Sequence, residues 1–206
     1  MSKTTGSHAR SAPVLVLVTG LPCTGKSFLA ENIARRYRLP YIHKDGIKER
    51  LFDSLGWSDR PWSKRLGSAS YAILFYFAEV MMEAGTSFVM ESNFDASLHG
   101  DIFRSLQNTY HFRCVQIQCI AKGEVLFERY RQRWESGKRH PGHVDPETYA
   151  ELRSSLLQGR LSPLPLEGLY LELDTTDLSK LDLEGFTESL NGLLDPAQEN
   201  TAPPIR

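Results

Sequence analysis

Gly20-Leu21-Pro22-Cys23-Thr24-Gly25-Lys26-Ser27 places two glycines, a lysine and a hydroxyl at the spacing G-x-x-x-x-G-K-[ST]. Each position has a physical job. Glycine lets the backbone turn sharply enough for successive N–H groups to face one polyanion. A helix that starts at the lysine adds partial positive charge at the same point. Lys26 would then reach the β- and γ-phosphates of a nucleoside triphosphate, and Ser27 would offer its hydroxyl to Mg²⁺. The segment from Gly20 through Phe28 is therefore expected to hold ATP with Mg²⁺. The chain shows no N-K-x-D-type guanine signature, which favours ATP over GTP. Cys23 inside the loop fits either a small filler residue or a thiol made oxidation-sensitive by the local positive field.

Three further stretches carry chemistry. The first reads YIHKDGIKERLFDSLG from Tyr41. Asp45 closes a short strand there, across a cleft from the phosphate loop. It fits a general base for an acceptor hydroxyl, a carboxylate on Mg²⁺ through water, or simply the N-cap of the next helix. In the second, Phe88-Val89-Met90 is followed by Glu91, a weak Walker-B-like signature. Glu91 would orient Mg²⁺-bound water and Asn93, on the same side, would meet the acceptor; strand-end capping fits both equally. The third runs from Arg129 to His140. Arg129 and Arg133 are four apart, so they share a helical face, and Lys138-Arg139-His140 follows in a Gly-containing loop. Kinases need cations that close over the transferring phosphate, and residues 137–143 suit such a lid. A solvated basic face is the ordinary alternative. His140, His143 and Asp145 lack a strong metal-ligand pattern. Trp57 and Trp62 flank Arg60, either as a stacking platform or as loop anchors.

The elements that must position these residues follow from hydrophobic periodicity. Val14–Val18 is a continuous apolar run of strand length, expected to be buried on both faces. Helix is predicted over 26–38, with Phe28, Leu29, Ile33 and Tyr37 as its apolar stripe. Then come a short strand over 40–45, a helix over 47–55, a loop over 56–65 and a long helix over 68–84. A strand over 87–91, a helix over 96–109, a strand over 112–120 and a helix over 123–135 follow. Last come a loop over 136–146, a helix over 147–158, a strand over 169–173 and a helix over 181–194. The aromatic stripe of Tyr71, Phe75 and Tyr76 is more often core than ligand box. Strands alternating with helices imply right-handed βαβ units, hence a parallel sheet with helices on both faces. In such sheets ligands bind beyond the carboxyl ends of the strands, where all three stretches lie.

The totals fit one domain of 206 residues. Lys plus Arg number 24 and Asp plus Glu 25, for a net charge of −1, so no global basic excess points to nucleic acid. The three cysteines make no disulfide framework. Cys114 and Cys119 share one strand on opposite faces and cannot pair within it. The longest apolar runs are too short for a bilayer, and the polar start lacks an apolar signal core. The expectation is a cytoplasmic protein, with a domain over 13–195 and disordered tails over 1–12 and 196–206.

The motifs GLPCTGKS, KDGIKERLFDSLG, VMESNF and ERYRQRWESGKRHPGHVD stand in one order over most of residues 14–145. In that order they resemble the compact P-loop kinases grouped with the bacteriophage polynucleotide kinase domain and chloramphenicol phosphotransferase. The resemblance implies a three-layer P-loop NTPase fold with five parallel strands in the order 2-3-1-4-5. It also implies transfer of the γ-phosphate of ATP to a hydroxyl. Under it, Lys26 and Ser27 hold phosphates and Mg²⁺, Asp45 is the general base, and Arg129, Arg133 and Arg139 are lid arginines over 129–145. After Asp45 the polynucleotide kinases carry an arginine at closer spacing than Arg50 stands here, which weakens a nucleic-acid acceptor. The expected acceptor is a small molecule or nucleoside. A 5′-hydroxyl polynucleotide kinase and a non-catalytic ATP-binding switch are the competing functions.

Overall fold

The computed structural model describes residues 12–194, so the expected tails over 1–12 and 196–206 lie, apart from residue 12, outside the described residues. Strand β1 (Val14–Gly20) is buried at every position. Its side chains alternate between two cores, Val14, Val16 and Val18 entering one and Leu15 and Leu17 the other. A strand covered on both faces has no solvent side to make polar, which is why its sequence is continuously apolar. Around it stand β2 (Tyr41–His43), β3 (Phe88–Glu91), β4 (Arg113–Ile120) and β5 (Leu169–Asp174). All neighbouring pairs are parallel, in the order β2-β3-β1-β4-β5. This is the order that the resemblance implies. Cys114 and Cys119 fall in opposite cores and both thiols are free.

Helix α1 (Lys26–Tyr37) covers one face of the sheet through Leu29, Ala30, Ile33 and Ala34. Phe28 is 62% exposed and does not join the expected stripe, because the buried arc is set by its neighbours Leu29 and Ala30. Helices α3 (Arg60–Glu83) and α4 (Ala96–Tyr110) cover the other face with a cluster rich in phenylalanine. A third, smaller core of Leu21, Ala121, Leu126, Tyr130 and Leu156 ties the phosphate loop to α5 (Gly123–Glu135) and α6 (Asp145–Leu157). Of the aromatic stripe on α3, Phe75 is core, Tyr71 packs against it and Tyr76 is 67% exposed. Among the described residues, no helix is long and apolar enough to cross a membrane.

Several element boundaries differ from expectation. Helix α2 (Lys44–Leu55) starts three residues early because the His43 ring caps it, Nδ1 accepting from Gly46 N–H at 3.1 Å. Most of the expected loop over 56–65 is the first turn of α3. Asp59 caps that turn, accepting from Trp62 N–H at 2.9 Å, and Pro61 suits a position that has no partner for its missing N–H. The last expected helix, over 181–194, is broken into α7 (Leu183–Glu188), capped by Asp182, and α8 (Asn191–Leu194), after a short 3-10 turn, Leu178–Lys180.

Phe103 is fully buried and meets Phe75 and Phe94 edge-on at 5.3 and 5.0 Å. Phe103→Ala is expected to cost about 3–5 kcal/mol in denaturant unfolding. A loss below about 1 kcal/mol would mean that this core collapses to fill the cavity.

Candidate active site

The phosphate loop is shaped by backbone angles that most residues avoid. Gly20 leaves β1 at φ 150°, and a Cβ there would fall 2.5 Å from Cys119 O. Cys23 and Gly25 both adopt left-handed backbone, at φ 68° and 78°, turning the loop back on itself. Between them Thr24 is buried, its hydroxyl donating to Leu21 O at 2.8 Å. The loop hands over directly to α1, where Leu29 N–H takes Gly25 O at 3.1 Å. The N–H groups ahead of Leu29, including that of Phe28, belong to a helix start, whose donors lack helical partners. So the glycines, Leu21, Pro22, Cys23 and Thr24 shape the loop, while Lys26, Ser27 and Phe28 form the first turn beyond it.

The β1–β3 register sets Val18 beside Glu91. That puts the 4%-exposed Glu91 carboxylate next to the loop lysine, Lys26 Nζ standing 3.7 Å from Oε1. Tyr41 OH donates to Oε2 at 3.3 Å. Burial and this carboxylate hold the Tyr41 phenol far above its ordinary range. Asn93 follows on the other wall, where Tyr71 OH and Ser92 Oγ lie 3.0 Å apart and Asn93 Oδ1 is 3.3 Å from Ser92 Oγ.

Asp45 lies in the first turn of α2, and with His43 as the cap it is not the capping residue. Lys44 Nζ is 2.7 Å from its Oδ1 and Arg139 is 2.8 Å from its Oδ2. Desolvation raises this carboxyl's pKa, but the Lys44 and Arg139 cations outweigh it and hold it well below the usual carboxylate range. The Asp45 side chain as a whole is 41% exposed.

The segment after α5 packs on α2. Asp45, Glu49 and Asp53, each four apart, present one acidic face. Arg139 takes Asp45, His143 Nε2 lies 2.9 Å from Glu49 and His140 Nε2 lies 3.4 Å from Asp53. The Phe52 ring sits among them, stacked on His140 at 5.0 Å and edge-on to His143 at 5.4 Å. Gly142 lets this segment lie on that ring, since a Cβ there would be 2.7 Å from it. His140, His143 and Asp145 thus turn to different partners rather than toward a common metal. Residues expected as loop over 136–146 include a 3-10 turn, Pro141–His143, and α6 begins at Asp145.

His143 is 4% exposed. Burial, then Arg139, push its pKa from 6.5 down to about 2. Between those values the folded protein binds fewer protons here than the unfolded chain, so stability falls as pH drops below 6.5. Going from pH 7 to 5.5 is expected to cost about 1 kcal/mol through this residue. Urea unfolding of wild type and His143→Gln at both pH values checks it. An unchanged pH dependence in the variant would remove His143 as the cause.

The two arginines expected to share a role have different partners. Arg129 donates to the carbonyls of Thr175 and Thr176 at the end of β5, at 2.8 and 3.1 Å. Arg133 lies 4.8 Å over the Tyr130 ring, and its Nε and one terminal nitrogen are buried with no hydrogen-bond partner. Its field reaches the phosphate loop. Burial raises the Cys23 thiol, and Arg133 and Lys26 oppose that rise without reversing it. Cys23 therefore stays a thiol, which favours its filler role. Buried guanidinium donors lacking an acceptor beside a loop of glycine and helix-start N–H groups fit a polyphosphate.

Sequence reading did not find Lys44, Tyr41, Tyr130 or Asp145 as parts of this cluster. A separate cavity of ≈ 650 Å³, lined by Val14, Arg113 and Leu169, opens at the opposite ends of the strands.

Against known proteins, the profile of the AAA domain family matches residues 15–157. Among solved structures, a protein of Chloroflexus aurantiacus J-10-fl described as a "putative kinase" shares 39% identity. It aligns over 89% of this chain and 100% of its own, with a TM-score of 0.81. The Mycobacterium tuberculosis APS kinase, solved with AMPPNP and APS, shares the fold at 18% identity, a TM-score of 0.52, and 89% and 98% coverage. A gluconokinase from Sinorhizobium meliloti 1021 does so at 17% identity, a TM-score of 0.50, and 94% and 99% coverage. Among curated proteins, none matches. With the profile spanning most of the chain and the five strands in P-loop kinase order, this chain belongs to the AAA domain family, in its P-loop kinase-like form.

Proposed function

We propose that the protein is an ATP-dependent kinase, transferring the γ-phosphate to a hydroxyl of a small-molecule or nucleoside-type acceptor. The observation that carries this reading is a linked cluster of charge at the phosphate loop. Buried, unpartnered Arg133 donors and Arg139 both bear on Cys23 of the loop, and Arg139 pairs with the ionised Asp45 carboxylate. MgATP supplies the phosphoryl group. Loop N–H groups and Lys26 bind its phosphates, and Ser27 is the hydroxyl placed for Mg²⁺. Lys26 and Arg133 supply fixed positive charge where negative charge develops. Asp45 orients the acceptor hydroxyl and takes its proton. Glu91 fixes Lys26, and Asn93 with Tyr71 and Ser92 forms a polar wall for the acceptor. Arg129 braces α5 against the end of β5. Residues 129–145 act as the lid that excludes water. Free, buried thiols and ATP dependence fit a cytoplasmic setting.

The chemistry is tested by transfer of labelled γ-phosphate from ATP with Mg²⁺ to a panel of nucleosides, sugars, hydroxylated antibiotics and a 5′-hydroxyl oligonucleotide. Label on a small acceptor supports the reading and names the class. Label on the oligonucleotide alone makes it a polynucleotide kinase. Label that never leaves ATP favours a nucleotide-binding switch.

A further inference from the structure

Arg139 is held at both ends, and the two ends are unlike. One terminal nitrogen lies 2.5 Å from Asp145 Oδ1 and the other 2.8 Å from Asp45 Oδ2. Asp145 is 7% exposed and begins α6. The 1%-exposed Tyr130 donates to its same oxygen at 3.0 Å. Asp45 is 41% exposed and also has Lys44. The inner contact is thus built in, while the outer one can exchange its carboxylate for another anion. Arg133 over Tyr130 extends the same string of contacts to the phosphate loop.

We propose that Asp145 is a positioning residue that anchors Arg139, and that the Arg139–Asp45 contact is a resting clasp, opened when nucleotide phosphates take the guanidinium's outer end. This rests on the kinase reading for the identity of those phosphates. Without nucleotide, the carboxylate meant for the acceptor is occupied. With nucleotide, Arg139 moves its outer end to phosphate while Asp145 keeps the inner one, and Asp45 is released to the acceptor. Binding is thereby ordered, nucleotide first, without any new conformation of the sheet.

The clasp makes a prediction that a purely structural role does not. Neutralising Asp45 removes a competitor for Arg139, so Asp45→Asn should bind AMP-PNP with Mg²⁺ about 3- to 10-fold more tightly than wild type. In an Arg139→Gln background the same substitution should change binding less than about 2-fold. Asp145→Asn should weaken binding about 10-fold in wild type and add nothing to Arg139→Gln. Tyr130→Phe, a milder change at the same anchor, should weaken it about 2- to 3-fold with the same dependence on Arg139. Calorimetric titration of these variants, with thermal midpoints measured alongside, reads all of this without turnover. Equal effects of Asp45→Asn in both backgrounds would overturn the clasp, since the carboxylate would then act as bulk charge. Additive losses from Asp145→Asn and Arg139→Gln would overturn the anchor. A wild type that binds no AMP-PNP overturns both the clasp and the reading beneath it. An intact cycle with no labelled acceptor would leave the clasp standing and remove the kinase.

Discussion

Lys26→Ala is expected to lower phosphoryl transfer at least about 10³-fold, the loss that follows when a preorganised cation at the transferring phosphate is removed. Position gives the residue this weight. Lys26 opens α1 directly after the left-handed Gly25, so its backbone and its ammonium converge on the same ligand. Its side chain is 14% exposed and is steered by Glu91 at 3.7 Å rather than left free in solvent. Removing it also leaves the buried Glu91 with only Tyr41, so some loss of stability is expected too. Lys26→Met, which keeps the stem volume, separates the two effects. Both variants should remain folded by circular dichroism, bind nucleotide more weakly and fail to transfer label. Turnover near wild type in a folded Lys26→Met would sink the assignment of this loop to catalysis.

What could be read in the sequence follows from how local each feature is. The phosphate loop is eight contiguous residues whose function resides in backbone turns and one lysine, so spacing alone exposes it. The both-faces burial of β1 is equally local, because an unbroken Val-Leu run leaves no solvent face. The order of the strands is not local; it came with the resemblance rather than with any periodicity. Shared helical phase does not give Arg129 and Arg133 the same partners. Four residues of rise separate them by about 6 Å, enough to set one against the carbonyls after β5 and the other beside the phosphate loop. His43 as a cap was hidden because imidazole is not among the usual capping side chains. Asp145 was hidden because its partners, Tyr130 and Arg139, meet only once α5, the segment after it and α6 fold together.

Asp45→Asn is the second large effect, and it separates binding from chemistry. The amide keeps the size of the side chain and a place in the first turn of α2, where His43, not residue 45, provides the cap. Helix and nucleotide site should survive, and AMP-PNP binding should not weaken. Transfer should fall about 10²- to 10³-fold, the range for losing a positioned proton acceptor. The low pKa of this carboxylate bears on the size of the loss. A group held down by Lys44 and Arg139 is a weak base at rest, so its power depends on how far those cations withdraw in the loaded site. Phosphoryl transfer through a loose transition state asks little of the base before the phosphorus–oxygen bond is broken, so orientation of the hydroxyl carries much of the effect. Steady-state kinetics then distinguish the roles. A fall in kcat with no rise in the KM for ATP places Asp45 on the reacting hydroxyl. Unchanged kcat with tighter nucleotide binding would leave it as the lid's clasp alone, and the proton acceptor would have to be sought elsewhere along the wall of Tyr71, Ser92 and Asn93.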